Sequence, residues 1–241
     1  MTTASDARSR LILALDVPDR SAAMSRVRAL CGHVGYFKVG LEIFVREGPR
    51  IVEEIAGLGE RVFLDLKLHD IPNTVAGAVR SACRLGVDML TIHASGGSEM
   101  MKAARSAADS SPSPPLLLAV TALTSISPGE AGLIGVQAPL NLWVQNLAEL
   151  AHRSGIQGVV ASPLELPDLR KRFGSRLRTV IPGIRPAGTA SDDQARMATP
   201  ANAIRWGADF LVVGRPILQA PEPAEAADRI VAEIASALDS L

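Results

Sequence analysis

The sequence predicts an α/β fold closed into a single (β/α)8 TIM barrel, from its length, its apolar make-up and eight repeats of one short strand-then-helix pattern. Its 241 residues lie close to the roughly 250 of one such barrel, so one domain over residues 1–241 is a better reading than two minimal ones. Apolar residues make up 47% of the chain and aromatics only 3%, so the core must be built from Val, Ile, Leu and Ala, as in a parallel sheet wrapped by helices. Lys plus Arg equals Asp plus Glu at 25 each, which leaves no net field to gather nucleic acid or an anionic membrane surface. Any anionic ligand must be held by local groups.

The first strand is expected at 11–15, an apolar run stopped by Asp16 and Pro18 after a polar start over 1–10. That run is far too short for a signal peptide or a membrane span, so a cytoplasmic protein is expected. The second strand, 36–39, carries Lys38, and the third, 62–66, carries Asp65 and runs on to Lys67. The fourth, 89–93, follows the turn Leu85-Gly86-Val87-Asp88, where Gly ends a helix and the chain re-enters the sheet. After the fifth strand, 116–120, comes a long connection over 124–139, and the sixth strand is 158–161. The seventh, 179–182, opens a second long connection over 183–199. The eighth, 210–213, enters through Trp206-Gly207-Ala208-Asp209 and ends at Gly214-Arg215. Both long connections read as binding loops or lids. A doubly wound open sheet would alternate in the same way, but it usually has a glycine-rich turn after its first strand, where this chain has Asp16-Val17-Pro18-Asp19.

Polar residues recur at the carboxyl ends of these runs: Asp16, Lys38, Asp65, Lys67, His93, Thr124, Arg185 and Arg215. In a barrel those ends meet on one face, the face that carries active sites. The densest feature is Phe63-Leu64-Asp65-Leu66-Lys67-Leu68-His69-Asp70-Ile71-Pro72. Residues two apart on a strand point the same way, so Asp65 and Lys67 are expected on one face, with Asp70 just beyond, before a helix that Pro72 starts. A lysine between Asp65 and Asp70, with Lys38 on the next strand, makes an alternating charge array. Flanking carboxylates favour the ammonium form, which donates a proton; a Schiff-base lysine would need cationic neighbours instead. A substrate carboxylate beside Asp65 would be relieved of repulsion on leaving as CO2, and the ammonium groups would stabilise the carbanion left behind.

The second feature lies after strands seven and eight, in Pro182-Gly183-Ile184-Arg185-Pro186 and Val213-Gly214-Arg215-Pro216. Loops at these places often bind phosphate in barrels, with glycine admitting backbone N–H groups and arginine offering a two-pronged donor. Arg185, Gln194, Gly214 and Arg215 are the expected phosphate ligands. Cys31 and Cys83 have no metal-site spacing and read as free thiols; no metal site is expected. His33, His152, Trp143, Trp206 and the Met100-Met101 pair are assigned no functional role, and His69 and His93 are left open.

Together with Leu13-Ala14-Leu15-Asp16, Phe37-Lys38-Val39-Gly40, the run on to Asn73-Thr74, and Leu123-Thr124-Ser125, these segments resemble the orotidine 5′-phosphate decarboxylases of the short bacterial type. The resemblance spans nearly the whole chain in order. It implies cofactor-free conversion of orotidine 5′-monophosphate to UMP and CO2 in pyrimidine biosynthesis, with Lys67 giving a proton to C6 and Asp65 beside the departing carboxylate. It implies that Asp16 and Lys38 contact the ribose, that Thr124 and Ser125 approach the pyrimidine, and that Arg185, Gln194, Gly214 and Arg215 grip the phosphate. It also implies a homodimer with shared active sites, in which Asp70 and the turn of Ile71 to Thr74 reach into the neighbouring subunit's site. Two other readings stand beside it. A Mg²⁺-dependent sugar-phosphate decarboxylase or aldolase of the same barrel superfamily would carry a carboxylate on the second strand where this chain has Lys38. A non-catalytic phosphate-ligand-binding barrel would gain nothing from Lys67 among acids.

Overall fold

A computed structural model of the chain describes residues 3–186 and 197–241. Eight parallel strands close on themselves in sequence order: β1 (Leu11–Ala14), β2 (Tyr36–Gly40), β3 (Val62–Leu68), β4 (Met89–His93), β5 (Leu116–Val120), β6 (Gly158–Val160), β7 (Arg178–Ile181) and β8 (Phe210–Val213). β8 pairs with β1 through Leu11↔Leu211 and Leu13↔Val213, which seals the barrel. Helices follow the strands around the outside, among them Arg20–Leu30, Pro72–Arg84, Gly97–Asp109, Leu140–Arg153 and Pro223–Asp239.

The period of two along each strand divides the apolar residues into two cores. Ile12, Tyr36, Phe63, Met89, Leu118 and Val180, with Val160, Phe210 and Val212, fill the lumen. Leu11, Leu13, Phe37, Val39 and Leu64 belong to the larger layer between sheet and helices. Gly158 shows how tight the lumen is, because a Cβ there would come within 2.7 Å of the Leu118 side chain and 2.9 Å of the Arg178 carbonyl oxygen. The foot of the barrel is closed by Arg61, which bonds the Tyr36 hydroxyl at 2.9 Å and stacks over its ring, and by Arg170 and Arg178, which converge on Asp209. No helix of the described residues is long and apolar enough to cross a membrane.

The ends of β1, β2, β3, β6 and β7 differ from expectation by one or two residues. β7 stops before Pro182, which has no N–H for the ladder. The 124–139 connection is not all loop. It contains the helix Pro128–Leu133, started by a Ser127/Glu130 capping box with Pro at its first position. Reading only its length missed that Ser-Pro-x-Glu signal.

Candidate active site

At the carboxyl ends of the strands the lumen changes from apolar to charged. The alternation that points Tyr36, Phe63 and Met89 inward also points Lys38, Asp65 and Thr91 inward two residues later. With Asp16, Lys67, Thr124, Arg185, Gly214 and Arg215, the Lys38 and Asp65 side chains line a cavity of about 250 Å³. Its remaining walls are largely apolar, including Ala14, Val120, Ala122, Val160 and Val212.

Four charges alternate across its floor. The Lys38 ammonium lies 3.3 Å from Asp16 Oδ1 and 3.6 Å from Asp65 Oδ2, and the Lys67 ammonium lies 2.8 Å from the same Asp65 oxygen. Side-chain exposure runs from 12% at Asp65 and Lys38 to 30% at Lys67 and 62% at Asp16, so the array leads from dry protein to solvent. Gly40 keeps room for Lys38, since a Cβ at that position would stand 3.1 Å from the ammonium nitrogen.

Lys67 does not reach Asp65 by simple strand alternation. The β3–β4 register shifts between Leu64 and Leu68, and Lys67 adopts φ 51°, the only positive φ of a non-glycine among the described residues. Such a backbone is disfavoured for an L-residue and persists only where its surroundings hold it. Here the Lys67 N–H donates to the Thr91 hydroxyl at 2.9 Å, and that hydroxyl donates to Asp65 Oδ1, also at 2.9 Å. Burial alone would raise the Asp65 carboxyl. The Lys38 and Lys67 charges and the hydrogen bonds from Lys67 and Thr91 outweigh it, holding the group below the usual carboxylate range.

At the opposite side of the cavity, Gly183 has φ 76°, a turn that favours glycine, and it aims the chain back so that Ile184 pairs with Ala198. The Arg185 N–H donates to the Ala198 carbonyl at 2.9 Å, fixing the base of that loop. Gly214 and Arg215 follow β8 directly beside it. One wall therefore carries two guanidinium groups, and the floor carries the acid–lysine array.

The family model described as orotidine 5′-phosphate decarboxylase / HUMPS family matches residues 9–230. The chain belongs to this family. It is 49% identical over 239 residues to an orotidine 5′-phosphate decarboxylase from Syntrophotalea carbinolica, covering 97% of this chain and 98% of that one. It is 50% identical over 223 residues to one from Anaeromyxobacter sp., covering 92% and 97%. The crystal structure of orotidine 5′-phosphate decarboxylase from Lactobacillus acidophilus superposes with a TM-score of 0.85 at 38% identity, covering 93% of this chain and 98% of that chain.

Within this orotidine 5′-phosphate decarboxylase family chain, the residues singled out in the sequence separate into two groups. Asp16, Lys38, Asp65, Lys67, Thr124, Arg185, Gly214 and Arg215 come together around one cavity. Asp70, Ile71, Thr74 and Ser125 are exposed and do not line it. Gln194 lies outside the described residues. The expectation that Lys67 sits between Asp65 and Asp70 is not met within one chain. Asp70 instead accepts the N–H of Ile71, at 2.6 Å, and Asp65 is the group held between two lysines. The chain turns outward after Leu68 because Ile71 and Pro72 begin the helix Pro72–Arg84, which carries the Asp70 carboxylate away from the lumen.

Sequence reasoning missed Thr91. A threonine is an ordinary strand residue, and the only signal was its spacing of two from Met89 on a strand that faces the lumen. His69 and His93 pack ring against ring, 5.2 Å between centroids. Burial, then His69 and Lys67, push the His93 imidazole below its usual range against the opposing pull of Asp65. Among the described residues no group of three or more His, Cys, Asp or Glu side chains is placed to hold a metal ion.

Proposed function

We infer that the chain decarboxylates orotidine 5′-monophosphate to UMP and CO2, as a carboxy-lyase of pyrimidine biosynthesis. The observation that carries this reading is the pairing, in one cavity, of an acid between two lysines with a wall that carries Arg185 and Arg215. Family membership over residues 9–230 supports it.

In this reading the phosphate lies against Arg185, Gly214 and Arg215, with Gln194 from the same loop, and the ribose lies over Asp16 and Lys38. The pyrimidine fills the apolar part of the cavity near Thr124 and Ser125. Asp65 faces the substrate carboxylate, and the repulsion between them is relieved as the bond from C6 to the carboxylate carbon breaks. The electron pair of that bond remains on C6, where the Lys67 ammonium stabilises it and then delivers a proton. Lysine recovers its proton from solvent, and UMP leaves. Every step uses side chains of the protein, without a cofactor. Residues 1–241 act as one domain in the cytoplasm, a reducing compartment that fits the two free cysteines.

The direct test adds orotidine 5′-monophosphate to purified protein in the presence of EDTA and follows loss of the orotate chromophore together with CO2 release. Equal rates with and without EDTA are expected. Absence of turnover in EDTA, restored by Mg²⁺, would move the protein to the metal-dependent relatives.

We also propose that it works as a homodimer in which Asp70, exposed here beside an Ile71 that is 68% exposed, completes the partner's site. Lys67→Ala and Asp70→Ala would each be nearly inactive alone. Equal mixing and reassortment should restore roughly a quarter of wild-type activity, because half the dimers are mixed and each then has one site free of both substitutions. A mixture no more active than its parents would place Asp70 in its own chain's chemistry or in none.

A further inference from the structure

We propose that Thr91 is a positioning residue for the decarboxylation, its hydroxyl clamping the Asp65 carboxylate and the Lys67 backbone into one unit. This rests on the reading of Asp65 and Lys67 as the reacting pair. Thr91 is fully buried on β4, and its hydroxyl has one proton to give and lone pairs to accept with. The proton goes to Asp65 Oδ1 at 2.9 Å, and a lone pair takes the Lys67 N–H at 2.9 Å. The Lys67 ammonium meets the other carboxylate oxygen, Oδ2, at 2.8 Å. These contacts close a ring that runs from the Lys67 amide through Thr91 and Asp65 to the Lys67 ammonium. The reacting lysine is thereby held at both ends by the same pair of neighbours.

The clamp answers a specific need. The register shift between Leu64 and Leu68 removes Lys67 from the regular ladder with β4, and its φ of 51° is disfavoured for any residue with a side chain. An amide leaving a ladder in the protein interior needs another acceptor, and the Thr91 oxygen is that acceptor. Meanwhile Asp65 Oδ2 is shared by both lysines, so Oδ1 is free to turn unless something holds it. Thr91 fixes the carboxylate plane as well as its charge.

The test compares Thr91→Val, which keeps the shape and removes both bonds, with Thr91→Ser, which keeps the hydroxyl. Thr91→Val should lose kcat by about tenfold to a hundredfold, the scale of a hydrogen bond to a charged group. KM should stay within about threefold, because the phosphate wall is untouched. Thr91→Ser should stay within about threefold of wild type in both constants. The pH profile gives a readout that packing alone would not move. Loss of a bond to the ionised form raises the Asp65 carboxyl, so the acid limb of kcat should move to higher pH in Thr91→Val. The charged and titratable groups around Asp65 are Lys38 from β2, Lys67 from β3, His93 from β4 and, beyond Lys38, Asp16 after β1. All four are unchanged in the variant, so the displaced limb reports on Asp65. Wild-type kcat and acid limb in Thr91→Val would overturn the proposal, as would a Thr91→Ser enzyme as impaired as Thr91→Val. If thermal melting shows that Thr91→Val does not fold, Thr91→Ala is read by the same criteria. Failure of the functional reading looks different, since the wild-type protein itself would then leave orotidine 5′-monophosphate intact.

Discussion

Lys67→Ala is expected to abolish turnover, with kcat falling at least about 10⁴-fold, while UMP still binds within about tenfold of wild type. In the proposed reading the substitution removes both the proton for C6 and the positive charge that stabilises the developing carbanion. It leaves Arg185, Gly214 and Arg215 in place at the other wall of the cavity. Asp65 is not stranded by the change, because Lys38 remains 3.6 Å from the oxygen that Lys67 shared. The fold should therefore survive, and the backbone offers a control. Position 67 sits at φ 51°, so Lys67→Gly should be more stable than Lys67→Ala by about 1 kcal/mol, the cost of holding a Cβ in that region. Both variants lack the ammonium and should be equally inactive. Steady-state decarboxylation, UMP titration and thermal melting on the three proteins decide the matter. If Lys67→Ala retained more than a small fraction of kcat, the proton would have another source, and the assignment of the floor array would fall.

How much of this was visible in the sequence depends on which physical constraint wrote each part. Strands buried on both faces are largely apolar, so β5 and β8 stood out as uninterrupted runs, and β4 as a run broken by Thr91 and ended by His93, each with the bounds the structure has. Charges that interrupt such runs are costly unless they meet a partner, which is why Lys38, Asp65 and Lys67 could be singled out and why they converge. The local path of the backbone was not legible. No glycine marks the turn at Lys67, because the conformation is held by Thr91 and Asp65 across the strands rather than by local preference. The same reason hid Thr91, whose role comes from the β3–β4 register and not from its type. Asp70 was drawn toward Lys67 on spacing alone, which ignores the exit of the chain into the helix Pro72–Arg84.

Arg215→Ala should lower kcat/KM on the order of a hundredfold to a thousandfold, the loss typical of removing one partner of a buried, hydrogen-bonded charge pair. The argument concerns where binding energy acts. In the proposed reading Arg215, after β8, grips the phosphate while Lys67, on β3, serves the reacting carbon, and an ordinary anchoring role would raise KM and leave kcat alone. A different outcome is expected because Arg185, on the same wall as Arg215, lies at the base of the seventh-strand connection, where its N–H bonds the Ala198 carbonyl. In the proposed reading, phosphate held by both guanidinium groups would tie Arg185 to the end of β8. The binding energy would then help exclude water from the floor array, which strengthens every charge on Asp65 and the lysines. Part of the loss should therefore appear in kcat itself. Adding phosphite or inorganic phosphate alongside a phosphate-free nucleoside substrate separates the two roles. If the dianion speeds decarboxylation by the wild-type protein but not by Arg215→Ala, the arginine acts through closure. A variant whose entire defect lies in KM would instead make Arg215 a plain anchor, and the rate would owe nothing to the phosphate wall.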